Sequence, residues 1–275
     1  MGDYANNLTD RWKHSKLKQG YCLICGTHGK LSWDHVPPKG SVFITKTEQV
    51  HLTEIMGVNP IPVKGIKSTN GSKFKTICSE CNSNYLGQND EEVARVYKHL
   101  TKLVSQHFTH LSNPLNHVIV PFNAISFCRA MIGHILSATT VEECKKEPVE
   151  SPYFTPLQKF VMGDESAIDQ SHDIYCWFYP HRHHLSAKMF AFTNKGNTCV
   201  ISVLSFYPLA FSITEKGRGI YPSGAKKISL TDQQMVIDLS SGHFPYSAFP
   251  HTGLTGDQMM LLSSAQAIVS YPIKS

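Results

Sequence analysis

The sequence predicts an α+β fold. Three observations carry this: two Cys-x-x-Cys pairs enclosing a short strand-like run, a long helical periodicity directly after the second pair, and a second half of apolar β-rich runs broken by turn residues. Of the 275 residues, 41% are hydrophobic and 17% charged. That balance belongs to a globular protein with a substantial core, in one or two domains, and not to a disordered chain.

Taken in order, the polar opening Met1–His14 has no apolar segment of the signal-peptide kind, so a cytoplasmic protein is expected. Lys30–Val36 reads as a strand with Leu31, Trp33 and His35 on one face and Ser32, Asp34 and Val36 on the other. Pro37 and Pro38 end ladder pairing, and the twist they allow is expected to turn Asp34 and His35 toward one cavity. Tyr85 and Leu86 fit a short buried helix. Asn89 and Glu92 have the spacing of a capping box that opens a helix over Asp90–Phe108, with Val93, Val96, Tyr97, Leu100, Leu103 and Val104 at helical spacing.

Pro114 and Pro121 bracket a break, after which Ala124–Ser137 reads as an amphipathic helix with Ile125, Cys128, Met131, Ile132, Ile135 and Leu136 inward. Lys145–Pro152 reads as a surface connection. Ile174–Tyr179, Ala187–Thr193, Cys199–Ser205 and Leu209–Thr214 read as strands of an antiparallel sheet, with a hairpin turn at Asn194-Lys195-Gly196-Asn197. The most apolar run, Cys199–Ile213, contains Ser202, Ser205 and Pro208 and is too short for a membrane helix, so no membrane partner is expected. His181-Arg182-His183-His184 reads as an exposed turn. Two domains are expected, 1–110 and 111–275, the second offering a surface for an oligomer or a regulatory partner.

The cysteines are the most informative residues. Cys128, Cys144, Cys176 and Cys199 are scattered and fit small buried hydrophobes, whereas Cys22/Cys25 and Cys78/Cys81 are two knuckles separated by 52 residues. In each knuckle both sulfurs can reach one ion while turn N–H groups face the thiolates. Two knuckles therefore close one four-cysteine structural zinc site with no open position. A redox role fits less well, because the strand-then-long-helix setting of a thioredoxin-like motif is missing. The formal charge of +5 is unevenly spread: residues 1–110 hold fourteen Lys/Arg against nine Asp/Glu, and the remainder is balanced. The excess in the first part suits a solvated basic surface or a polyanionic partner, and Lys64, Lys67, Lys73 and Lys75 read as a solvated loop or as phosphate contacts.

Between the knuckles lies Leu31-Ser32-Trp33-Asp34-His35-Val36-Pro37-Pro38, and Asn82 follows the second knuckle at once. CxxC, then Asp-His-hydrophobe-Pro, then CxxC-Asn resembles the zinc-knuckle HNH, or ββα-metal, nucleases over residues 18–95. The resemblance implies a zinc-stabilised ββα-metal module followed by a helix and an antiparallel-sheet region. It implies hydrolysis of phosphodiester bonds in nucleic acid, double-stranded DNA being the expected substrate. His35 would be the general base, and Asp34 and Asn82 would hold a catalytic Mg²⁺ or Mn²⁺. The family orients its catalytic histidine with an Asn. The usual position here is Lys73, and Asn70 is the nearby candidate. A zinc-dependent nucleic-acid-binding module without catalysis is the alternative, and a zinc-stabilised protein-interaction domain is a third reading.

Overall fold

Three short antiparallel strands frame the cysteine knuckles. The computed structural model describes residues 17–42, 46–52, 65–109, 115–194, 197–248, 260–261 and 267–273. The polar N-terminus, Lys64, Pro114 and the turn residues Lys195 and Gly196 lie outside them. Strand β1 (Gln19–Tyr21) pairs with β2 (His28–His35) across the first knuckle. Gly26, at φ 74°, takes the left-handed turn that brings its N–H back to the Cys22 carbonyl. β2 ends at His35, where the two prolines begin.

Two strands are inserted before β2 finds its other neighbour: β3 (Thr47–His51) and β4 (Ile66–Ser68). Neither had a sequence signal, because both are short and largely polar. β5 (Lys73–Cys78) then pairs with β2, giving the order β1-β2-β5, with a register shift between Ser32 and Asp34. Beyond β5, Cys81–Leu86 winds as a π-helix that continues into α1 (Gly87–Thr109). The helix therefore starts before the expected capping box. Asn89 does not cap it but donates its side-chain amide to the Tyr85 carbonyl at 2.7 Å. Glu92 ion-pairs with Arg95 and accepts the Asn123 N–H at 2.6 Å.

That last bond fixes the start of α2. Strand β6 (His117–Pro121) leads to Asn123, whose side chain caps α2 (Ala124–Ser137) by accepting the Ser126 N–H at 3.0 Å. The helix is more enclosed than an amphipathic one: every residue from Ala130 to Ser137 is buried, including the polar His134 and Ser137. Ile125, expected inward, is only half-buried. A helix buried all round must pair its polar side chains internally, since water does not reach them.

α3 (Phe154–Val161) packs Leu157, Phe160 and Val161 inward, and Gln158 ties it to the first knuckle by donating to the Leu23 carbonyl at 2.9 Å. The four expected strands follow as β7 (His172–Phe178), β8 (His184–Asn194), β9 (Asn197–Phe206) and β10 (Leu209–Glu215). β11 (Lys226–Ile228) pairs with β7, β12 (Gln234–Asp238) with β6, and β13 (Met260–Leu261) with β8. β14 (Ala267–Pro272) closes the arrangement between β8 and β3, so that one antiparallel sheet runs β11-β7-β10-β9-β8-β14-β3-β4.

The expected boundary at 110/111 does not coincide with a break in contacts. β3 and β4, from the first part, belong to the second part's sheet, with β4 at its edge. One apolar core runs from Cys22, Phe74, Ile77 and Leu86 through α1 and α2 to Phe178, Phe211 and Ile213. Among the described residues no helix is long and apolar enough to cross a membrane.

Candidate functional site

The four knuckle cysteines converge. Their Sγ atoms all lie within 4.8 Å of one another, and Cys25 and Cys78 are 3.8 Å apart. A Zn–S bond of about 2.3 Å gives a tetrahedral edge of about 3.8 Å, so the cluster could hold a structural zinc ion. Backbone N–H groups already face the sulfurs: Cys78 N–H donates to Cys22 Sγ at 3.3 Å, and Cys81 N–H to Cys78 Sγ at 3.4 Å. Cys22 is drawn toward the thiolate, to a pKa of about 5. The hydrogen bond from Cys81 is the main cause, and backbone donors help against the opposing effect of burial. Cys78 and Cys81 are pushed upward, Cys78 by burial and Cys81 by donating its proton in that hydrogen bond to Cys22. Four thiols of which the first ionises easily are suited to a metal that displaces the remaining protons.

Asp34 lies on the inner side of β2. It is 3% exposed and faces α2. Its Oδ2 lies 3.0 Å from His134 Nδ1 and accepts a short hydrogen bond from Ser137 Oγ. His134 Nε2 lies 2.7 Å from Asp90 Oδ1 on α1, so one imidazole bridges two carboxylates from two other elements. Burial opposes charge on His134, but Asp34 and Asp90 outweigh it and raise the ring to about 10. Gly133 makes this approach feasible. A Cβ there would meet Leu86 Cδ2 at 2.0 Å, so only glycine lets α2 sit this close to the π-helical turn.

The alternation expected along β2, with Leu31, Trp33 and His35 on one face, does not hold: the register shift between Ser32 and Asp34 leaves both Leu31 and Asp34 buried and Trp33 exposed. His35 is half-buried, stands across from Lys73 in the ladder and feels Lys39. Its pKa is lowered, first by burial and then by Lys73. Asp34 and an interaction with the Asn70 backbone act the other way. The ring is therefore neutral at neutral pH and able to accept a proton. Asn70 acts on His35 through its backbone. Trp33 is 43% exposed, with Lys75 Nζ 5.8 Å from its ring centre.

Asn82 is brought onto the strand that carries both groups. Its Nδ2 donates to the Trp33 carbonyl at 2.8 Å and to Ser32 Oγ at 3.0 Å. Because a carbonyl can only accept, this sets the amide orientation and leaves Oδ1 outside the contact. Asn82, directly after the second knuckle, thus docks on β2.

Three participants had no motif to announce them: His134, Ser137 and Asp90. The signal available was a histidine and a serine inside an otherwise apolar helix. The segment His181–His184 differs from an exposed turn. Only Arg182 is exposed, while His181 and His183 stack obliquely at 5.4 Å and His183 contacts Tyr271 at the same distance. Among the described residues the four cysteines are the only group of three or more His, Cys, Asp and Glu that could hold a metal. No protein-family model matches the chain, and no curated protein or solved structure shows significant similarity to it.

Proposed function

We propose that the chain is a metal-dependent endonuclease of the HNH type that hydrolyses phosphodiester bonds in DNA. One observation carries the reading. A β-hairpin ending in Asp34-His35 runs through β5 into a helix whose first turn docks Asn82 back on that hairpin, with a four-thiol cluster at the junction. Asp34 and Asn82 supply a hard oxygen each, the donor type that suits Mg²⁺ or Mn²⁺. Waters and phosphate oxygens would fill the remaining positions. Both hydrogen bonds to Asp34 fall on Oδ2, so Oδ1 is the oxygen offered to such an ion. When bound, the ion supplies charge neutralisation at the scissile phosphate and the leaving 3′ oxygen.

His35 takes the proton of the attacking water. Its lowered pKa keeps a ring nitrogen available near neutral pH, and Lys73 and Lys39 beside it can draw the phosphodiester in. Exposed Trp33 offers a face on which a base can stack.

A second reading, a zinc-dependent nucleic-acid-binding module without catalysis, is favoured by the enclosure of Asp34, whose carboxylate is already committed to His134 and Ser137. Plasmid DNA incubated with full-length protein and His35→Ala, in Mg²⁺, Mn²⁺ or EDTA, separates the two. The nuclease reading requires metal-dependent nicking that His35→Ala loses. Salt-dependent DNA binding without nicking would hand the site to the second reading.

A further inference from the structure

We propose that His134 and Ser137, a hundred residues downstream on α2, are positioning residues for Asp34: they clamp its Oδ2 so that Oδ1 is presented to a divalent cation, and Asp90 holds His134 in register from α1. The inference rests on the nuclease reading only in taking Asp34 as a cation ligand. It extends the site into a helix that the nuclease motif does not include.

The geometry argues for a device rather than incidental packing. Asp34 Oδ2 accepts from two donors on one turn of one helix, His134 Nδ1 and Ser137 Oγ. Ser137 Oγ also lies 3.0 Å from the His134 carbonyl, and the Ser137 carbonyl accepts from Thr76 Oγ1 on β5, so the clamp is braced against the hairpin it serves. His134 spends its second nitrogen on Asp90, which leaves the ring no rotational freedom. Gly133 and the Leu86 side chain set the depth of the approach. Carboxylates that ligate metals are commonly held by hydrogen bonds in this way, and removing the holder costs about 10–100-fold in metal affinity or activity.

The test uses full-length, zinc-loaded protein and Mn²⁺ alone, with binding followed by electron paramagnetic resonance and no nucleic acid present. Asp34→Ala defines which Mn²⁺ belongs to the site. Ser137→Ala is expected to retain zinc and its thermal transition while binding that Mn²⁺ about 10–100-fold more weakly, and Asp90→Asn is expected to shift it in the same direction. His134→Gln should show the largest loss. If that variant fails to fold, Ser137→Ala and Asp90→Asn still decide. Unchanged Mn²⁺ affinity in folded Ser137→Ala and Asp90→Asn overturns the proposal, as does wild-type protein with no Asp34-dependent Mn²⁺ site; α2 would then be a structural lock alone. The nuclease reading fails separately. Its failure is Mn²⁺ bound and sensitive to Ser137→Ala without any nicking, whereas His35-dependent nicking with insensitive Mn²⁺ binding retains the nuclease and removes the clamp.

Discussion

Adjacent residues with opposite surroundings should fail differently. His35→Ala removes a half-buried ring from the end of β2. In the proposed nuclease it should lower the nicking rate by ~10²–10⁴-fold, with zinc content and melting temperature nearly unchanged. From the motif alone Asp34→Ala would be expected to be equally benign to the fold, but the structure changes that expectation. Its loss strips the inner partner from a buried His134 and leaves Ser137 Oγ without its acceptor. Breaking one side of a buried ionic cluster costs about 3–5 kcal/mol, which in a chain of this size lowers the melting temperature by on the order of 10 °C. Calorimetry of the two variants checks this. Equal melting temperatures would show that the Asp34–His134 contact contributes little.

At the scale of elements, the junction between the π-helical turn and α2 is set by an absent side chain. Gly133→Ala would place Cβ 2.0 Å from Leu86 Cδ2, and Leu86 is itself fully buried, so the helices must separate. Overpacking of this kind costs about 1–3 kcal/mol, measurable as a lower urea midpoint. The displacement would also draw His134 away from Asp34. The knuckle acts on the same junction from the other side, because Cys81 begins the turn that carries Asn82 and Leu86. Cys78→Ser is expected to abolish zinc uptake and cooperative unfolding of the hairpin, since structural zinc contributes on the order of 10 kcal/mol. Zinc content and near-ultraviolet circular dichroism are the measurements, and a well-folded, zinc-free wild type would remove the metal from the account.

The molecule as a whole has titrating groups of opposite sign in its interior. His134 is raised from an ordinary 6.5 to about 10, so its stabilising contribution is complete below pH 6.5 and is lost as pH rises toward 10. His172 and His184 are depressed to about 4, chiefly by burial. Their contribution is complete above pH 6.5 and lost as pH falls toward 4. Stability should therefore peak near neutral pH, and Asp90→Asn should weaken the decline on the alkaline limb only. Melting temperatures across pH 4–10 test both limbs. The shared core bears on dissection as well: a chain ending at residue 111 lacks α2 and the β14 strand that receives β3. It is expected to lose cooperative folding, which size-exclusion chromatography and a denaturant melt would show.

What the sequence determined by itself is what short-range physics decides. The Cys22/Cys25 and Cys78/Cys81 pairs form one four-sulfur cluster because each two-residue turn keeps its own pair of sulfurs together. β2 stops at His35, just before the prolines, and the apolar runs from Ala187 to Thr214 become neighbouring strands β8, β9 and β10 because hairpin connections keep successive strands together. Tertiary structure decided the rest. The helix begins ahead of its capping signal because the knuckle already supplies the first turn. Asp34 is buried against α2 because a buried carboxylate must be paired and its donors, His134 and Ser137, lie there. β3 joins β14 across more than two hundred residues. Nothing in the spacing around Asp34 points to residue 134, since a buried hydrogen bond is specified by which surfaces pack together, and that is settled only when the whole core forms.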